Sequence, residues 1–426
     1  MREALLHYVW QYRLFSAHQL KTSDNKTVEI IDVGKLNMDA GPDFFNAKIK
    51  IDGTLWAGNV EIHHRSSDWV RHGHEKDKRY NNVILHVVRV ADTDIFRQNG
   101  EKVPQLELQI SEGVEQKAGE LYRQNKQIAC ADEIASVPAI YIRDWKNALL
   151  AERLSHKTNE IEKQLKSNHN HWEEAFYVVL ARNFGFGTNG QAFEQTAQSL
   201  PLSTLAKHKN NLFQMEALLF GQSGLLFTGE GETDEYVDRL REEHAFLAKK
   251  YRLKPVDGFV WKMARLRPDN FPHIRIAQFA DLIHRSSKLF SKILKKKDLN
   301  DLKSVFDCKV SDYWLEHYRF AKTSSKKAKQ LGKNAADTII INTIVPFLYA
   351  YGTLKENQEY KDRASAFLEQ LKPEENSVIK QWHELNIPVD NAADSQALLH
   401  LKKQYCEDKK CLYCRIGHKI LKMNHT

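Results

Sequence analysis

The segment from residue 45 to residue 62 constrains the fold most strongly, because a single turn signal divides it into two strand-like stretches. Apolar and polar residues alternate over Phe45–Ile51, Asp52-Gly53 follows, and Leu55–Ile62 is the expected returning strand. A two-residue Asp-Gly connection between such stretches is typical of a β-hairpin. The two strands should pair antiparallel, so residues just before the first lie near the end of the second.

Further elements surround this hairpin and predict an α/β domain over residues 1–125. The run Asn82–Val90 is β-branched and almost entirely apolar, which is typical of a central strand buried on both faces. The other predicted elements are a helix over 3–16, strands over 27–33 and 106–110, and a short capped helix after residue 66.

After Pro138 the period of the apolar residues changes to that of helices and stays so to the C-terminus. The pattern predicts a larger all-α domain over residues 135–426. Among its predicted helices are 274–297 and an aromatic-rich one over 311–320.

Two carboxylates meet in the predicted hairpin, Asp43 after Gly41-Pro42 and Glu61 in the triplet Glu61-Ile62-His63. Hydrolysis of a phosphodiester needs a divalent metal, and Mg²⁺ (or Mn²⁺) prefers oxygen ligands. We expect Asp43 and Glu61 to bind that metal and His63, on the same strand face as Glu61, to assist the attacking water. The alternative is that Asp43 caps a turn and that Glu61 and His63 form an exposed strand face.

Gly41-Pro42-Asp43 followed by Glu61-Ile62-His63 resembles the PD-(D/E)xK pattern of restriction-endonuclease-like nucleases. The resemblance covers roughly residues 1–110 and implies an αβββαβ core, with Asp43 and Glu61 as the metal-binding acids. The catalytic lysine of that superfamily falls on His63, which is a departure. The superfamily's first helix often carries a further Glu, for which Glu3 is the candidate here.

The whole chain also resembles a family of bacterial proteins of unknown function that is common among Bacteroidetes. That resemblance implies no activity. The stretches that carry it are Gly41-Pro42-Asp43-Phe44, Glu61-Ile62-His63, Ser67-Asp68-Trp69, the strand from Asn82 to Val88, Arg267-Pro268-Asp269-Asn270-Phe271-Pro272 and the C-terminal cysteines.

Two polar segments are candidates for nucleic-acid contact. The loop after Glu61 is rich in histidine, and His72 and His74 predict phosphate contacts or a second metal position; solvated side chains are the alternative. Farther on, Arg265, Arg267 and Arg275 alternate with aromatic residues, and guanidinium groups and aromatic rings suit phosphates and bases. The alternative there is that the arginines pair with acids between helices.

The tail carries Cys406, Cys411, Cys414 and His418, four ligands that suit tetrahedral zinc. An iron–sulfur cluster is the alternative, and Cys130 would then be the fourth ligand. In either case we expect a structural site that holds the tail. Reduced cysteines without a metal are the third alternative.

Composition agrees with a nucleic-acid partner without requiring one, because the formal net charge is +8 and the pI is near 8.9. No apolar run is long enough to span a bilayer, and the sequence predicts a cytoplasmic protein. The predicted function is Mg²⁺- or Mn²⁺-dependent nuclease activity, with DNA as the first expected substrate. The alternative is an inactive nucleic-acid-binding or scaffold protein that keeps the nuclease fold.

Overall fold

The chain forms two compact units in a computed structural model that describes residues 2–15, 20–228, 233–286 and 288–423. The sheet unit comprises residues 1–146, 384–386 and 400–426, and the helical unit comprises residues 147–383 and 387–399. The prediction of an N-terminal sheet region and a larger helical region is confirmed.

The sheet unit contains the predicted strands, and their ends agree with the sequence pattern to within a few residues. The predicted first helix is present, although residue 16 at its expected end lies outside the described residues. The elements are α1 (Arg2–Gln11), β1 (Val28–Asp32), β2 (Lys35–Leu36), β3 (Phe44–Ile51), β4 (Thr54–Arg65), α2 (Asp68–Arg71), β5 (Val83–Val90), β6 (Gln105–Glu107) and α3 (Glu112–Arg123), with 3-10 helices at His74–Lys76, Lys78–Tyr80 and Ile134–Ser136.

The sheet is mixed, with strand order β1-β3-β4-β5-β6 and β2 paired to β3. Strands β1, β3 and β4 pair antiparallel, whereas β4, β5 and β6 pair parallel. The connection from β4 to β5 carries α2 and two 3-10 helices, since a parallel neighbour can be reached only by a crossover.

A β-bulge in β3 decides which side chains face one another across the hairpin. Phe44 pairs with Val60, but Ala47 pairs with Gly58, so β3 holds one extra residue between these pairs. Asn46 takes a left-handed conformation there, with φ 58°. An extra residue exchanges the two faces of a strand. Before the bulge, Phe44 pairs with Val60, so the same register brings Asp43 opposite Glu61.

The core of the sheet unit lies between α1, the sheet and the C-terminal tail. Val9 and Trp10 of α1 pack with Val60 and Ile62 of β4 in one buried cluster. The tail contributes to the same cluster through Leu412 and Leu421.

The tail therefore belongs to the sheet unit, whereas the sequence pattern assigned it to the helical domain. Its last helix, Arg415–Met423, has one apolar face and one charged face. The period of such a helix shows that one face is buried but does not identify the core that buries it.

The helical unit departs from the sequence prediction at two places. The helix expected over 274–297 is divided into Pro272–Arg285 and Leu289–Lys295, and Lys288 takes a left-handed φ of 54° between them; residue 287 lies outside the described residues. The helix expected over 311–320 ends at Leu315 and is followed by a small antiparallel hairpin.

In the described part of the chain no helix is both long and apolar enough to cross a bilayer.

The later elements follow in chain order. They are α4 (Ala139–Ser167), α5 (Trp172–Phe184), α6 (Gly190–Ser199), α7 (Leu202–Ala206), α8 (Leu212–Gln222), α9 (Glu235–Tyr251), α10 (Pro272–Arg285), α11 (Leu289–Lys295), α12 (Leu299–Lys303), α13 (Asp312–Leu315), β7 (His317–Arg319), β8 (Lys322–Thr323), α14 (Lys333–Ile339), α15 (Val345–Leu354), α16 (Gln358–Gln370), α17 (Ser377–Glu384), α18 (Ala392–Leu401) and α19 (Arg415–Met423).

The assignment of the tail to the sheet unit can be tested with one buried side chain. Leu421 is fully buried in that core, so Leu421→Ala should lower the free energy of unfolding by about 2–5 kcal/mol. Amide hydrogen exchange should become faster in β3, β4 and β5 and remain unchanged in α8 of the helical unit. Lys422→Ala, at the exposed next position, is the control and should change neither. Faster exchange confined to the helical unit would contradict the assignment.

Candidate active site

Asp43 and Glu61 are joined by two reciprocal hydrogen bonds at the end of the hairpin. The backbone N–H of Asp43 donates to Glu61 Oε2 at 3.0 Å, and the N–H of Ile62 donates to Asp43 Oδ2 at 2.9 Å. Each carboxylate is thus fixed by the strand that carries the other. The predicted proximity of the two acids is confirmed.

The surroundings of this pair disfavour negative charge. Glu61 is 4% exposed, and burial, together with the nearby Asp43 carboxylate, raises the pKa of Glu61 well above its usual range. Glu3 adds to the rise, so the candidate acid of the first helix does lie near the pair. A buried and a half-buried carboxylate held side by side form a site that a cation would stabilise.

His7 of α1 also contacts this pair of acids, through Asp43. Its Nε2 lies 3.2 Å from Asp43 Oδ2, and the side chain is 18% exposed. Burial alone would lower the pKa of His7, but its contact with Asp43, together with the charge of Glu3 and the backbone of Ile62, outweighs burial and leaves the pKa raised. No sequence pattern identified His7, because its role depends on how α1 crosses the sheet.

Four histidines continue the site from Glu61. His63 Nδ1 lies 2.9 Å from Nε2 of His86, which is opposite Glu61 on the parallel strand β5. His63 Nε2 lies 3.1 Å from Nδ1 of His72 and 3.5 Å from Glu61 Oε1. His74 Nε2 lies 3.2 Å from the same Glu61 oxygen.

Most of these imidazoles are held in their neutral form. Burial, reinforced by the neighbouring imidazoles, lowers the pKa of His63 to about 2, and burial lowers the pKa of His86 to about 3. The pKa of His74 is lowered by burial as well. A neutral imidazole is the form that binds a metal ion.

The segment after β4 brings His72 and His74 to His63. Gly73 lies between them with φ 76°, a conformation that glycine adopts without strain. The ring of Tyr80 stacks on His74 at 3.8 Å between centroids, and Trp69 packs edge-on against both His74 and His86. The rings of His74 and His86 are therefore fixed by packing.

The cluster includes a group of histidines that could hold a metal ion. One nitrogen of each of His63, His72 and His74 lies within 4.8 Å of the others. Three spacings in this cluster, from His63 to His72 and from Glu61 to His63 and His74, are 3.1–3.5 Å. The sequence singles out His63, His72 and His74 as candidates, whereas the position of His86 in an apolar strand predicts a core residue.

The predicted nucleic-acid-binding arginines lie in the helical unit. Arg265 and Arg267 are exposed. Arg275 is 9% exposed, and its guanidinium donates to Asn270 and Gln278 and stacks on Phe186. The contacts of Arg275 are those of a packed residue.

The predicted ligands of the tail lie elsewhere in the sheet unit. Cys406, Cys411 and Cys414 line a cavity together with Cys130. His418 instead forms a 2.8 Å hydrogen bond with the hydroxyl of Tyr8.

A family model described as "Protein of unknown function (DUF2851)" matches residues 3–377. The chain belongs to this family. The match spans both predicted acids, the histidine-rich loop and most of the helical unit. No curated protein and no solved structure matches the chain. The name of the DUF2851 family states no activity, so a function has to be argued from the site.

The role of Gly73 in positioning His72 and His74 can be tested separately from its effect on the stability of the fold. Gly73→Ala should lower the free energy of unfolding by about 1–2 kcal/mol, because the backbone is left-handed there. Gly100→Ala is the matched control, since Gly100 has φ 83° and, like Gly73, open space around it. Calorimetric titration with Zn²⁺ should show weaker binding only for Gly73→Ala. Equal binding by both variants would show that the turn does not position His72 and His74.

Proposed function

We propose that the protein is a metal-dependent hydrolase of nucleic-acid phosphodiester bonds whose active site contains Asp43, Glu61 and the adjacent histidines. The observation that carries the proposal is the contact set of Glu61. One of its oxygens accepts from the backbone of Asp43, and the other faces His63 and His74. Acids and neutral imidazoles thus converge on one buried carboxylate.

The donor set fits divalent metal ions of two kinds. Asp43 and Glu61 offer the oxygen ligands that Mg²⁺ or Mn²⁺ prefers. His63, His72 and His74, with Glu61, offer a nitrogen-rich set that suits Zn²⁺, Mn²⁺ or Fe²⁺ better than Mg²⁺. We therefore propose two neighbouring metal positions that share Glu61.

A bound divalent ion would supply charge neutralisation at the phosphate and activation of a water molecule. The protein's own groups would orient the ligands. His86 fixes the ring of His63 through the 2.9 Å contact, and the Ile62 amide fixes Asp43. His7 is placed to exchange a proton beside Asp43.

The topology and the surface charge support the same reading. The order of a helix, three antiparallel strands, a crossover and a parallel strand agrees with the αβββαβ core of restriction-endonuclease-like proteins. The segment that carries His72 and His74 also carries four exposed cations, and positive charge suits a phosphate backbone. The cations are Arg71, Lys76, Lys78 and Arg79. Three of them pair with the acids Asp68, Glu75 and Asp77 of the same segment. A cytoplasmic location is part of the proposal.

One observation favours the second candidate, a binding or scaffold protein that keeps the fold without the chemistry. His63 stands where the resembling nucleases have lysine, and it is buried and neutral. It therefore supplies no fixed positive charge near the phosphate.

A cleavage assay on single- and double-stranded DNA and RNA, with Mg²⁺, Mn²⁺ or Zn²⁺, tests the proposed activity. Asp43→Asn and Glu61→Gln should each lower the rate at least about 100-fold, because removing a metal ligand forfeits several kcal/mol of transition-state stabilisation. Glu29→Gln is the matched control, since that side chain is 70% exposed on β1. No cleavage by a wild-type protein that is folded and metal-loaded would favour the second candidate.

The nitrogen-rich position has its own test. His72→Ala should weaken Zn²⁺ or Mn²⁺ binding at least about tenfold, as measured by competition with a chromogenic chelator. His64→Ala is the control, because alternation along β4 turns His64 away from His63. If both variants bind as tightly as wild type, the three histidines do not form a metal site.

A further inference from the structure

We propose that Cys130, Cys406, Cys411 and Cys414 form a single four-thiolate metal centre that closes the sheet unit. This inference does not rest on the proposed function. Four of the five cysteines in the sequence line one cavity of about 20 Å³, and the fifth, Cys308, lies in the core of the helical unit. All five cysteines are free thiols.

The four sulfur ligands come from two distant parts of the chain. Cys130 lies between α3 and the 3-10 helix Ile134–Ser136. Cys406 ends a π-helical turn at Lys402–Cys406, and Cys414 immediately precedes α19. Cysteines that are neighbours in sequence can lie together by chance. Here the fold brings Cys130 to three cysteines that lie more than 270 residues later in the chain.

The local backbone is shaped around these residues. A Cβ at Gly417 would lie 2.1 Å from the carbonyl oxygen of Cys411, so only glycine allows α19 to approach that turn. The backbone N–H groups of Ile416 and Gly417, in the first turn of α19, face Cys414 and favour its thiolate. The close approach thus places helix amides against a sulfur ligand.

The charges around the cavity suit an anionic centre. Four thiolates with one Zn²⁺ carry a net charge of −2, which needs nearby cations when it is half-buried. Lys410 lines the cavity and pairs with Asp408, and the charges of Lys402 and Lys409 lie near Cys406 and Cys411, with Glu407 as an opposing charge near Cys406. The ammonium groups of Lys402 and Lys409 are held by the backbone carbonyls of Gln127 and Tyr122.

The fourth ligand is Cys130 and not His418, which the sequence pattern favoured. The Nδ1 atom of His418 is engaged with Tyr8, and its ring packs on Tyr12 at 4.2 Å between centroids. Both contacts direct the imidazole toward α1. The residues that line the cavity, all of them described, include Cys130 and do not include His418.

Two metals share this ligand chemistry, a zinc ion and an iron–sulfur cluster. Among the described residues no three cysteine sulfurs lie within 4.8 Å of one another, so a zinc ion would have to draw the four thiolates closer together than a larger cluster would. The full-length protein should be purified without oxygen or chelators, and its zinc, iron and acid-labile sulfide should be counted. X-ray absorption at the metal edge then identifies the atoms that coordinate the metal. This measurement uses protein that carries Glu61→Gln and His72→Ala, so that metal held by the histidines is removed. Zinc alone or iron with sulfide, surrounded only by sulfur, would each uphold the proposal.

A metal-free protein that cannot be reconstituted, or a shell of three sulfurs and one nitrogen, would overturn the proposal. Substitutions give the second measurement. Cys130→Ser should lower the metal affinity at least about tenfold, whereas Cys308→Ser and His418→Ala should retain the metal. Loss in His418→Ala with retention in Cys130→Ser would overturn the assignment of the fourth ligand. Because the absorption measurement needs no cysteine variant, the proposal remains testable if Cys130→Ser does not fold.

Discussion

The candidate site depends on a pair of hydrogen bonds between two strands, in which the carboxylate of each accepts an N–H from the other. The contacts of Asp43 with the Ile62 amide and of Glu61 with the Asp43 amide replace ordinary ladder bonds where the hairpin ends. They arise only because the bulge near Asn46 changes the register before Phe44. If the same residues paired without a bulge, the register of residues 47–51 would continue, and Asp43 would oppose Ile62 and face the other side of the sheet. The bulge thus allows two acids to share a face.

Much of this arrangement follows from the sequence. The Asp52-Gly53 turn predicts the hairpin, and the period of two predicts that Glu61 and His63 share a face. The bulge leaves no comparable sign, since Asn46 is an ordinary polar residue in an alternating strand. His7 and His86 could not be predicted, because a contact across a helix crossing or a parallel strand pair depends on tertiary packing.

The errors in the helical unit have a similar origin. An apolar period of 3.6 predicts helix, and tertiary contacts decide where the helix stops. After Leu315 the chain turns into a hairpin in which the hydroxyl of Tyr313 accepts from the Ala321 amide, and Tyr313 and His317 stack at 4.0 Å. The aromatic residues that predicted one helix thus stabilise its interruption.

The discontinuity of the sheet unit has a consequence for synthesis on the ribosome. Residues 1–146 leave the ribosome before residues 400–426, yet Leu412, Leu421 and three of the four clustered cysteines come from residues 400–426. The inserted segment 147–383 has its own core and can form it while synthesis continues. Part of the apolar face of the sheet must therefore remain uncovered until residues 400–426 have been made. Nascent chains arrested before residue 400 should carry a folded helical unit beside a sheet unit that chaperones still bind.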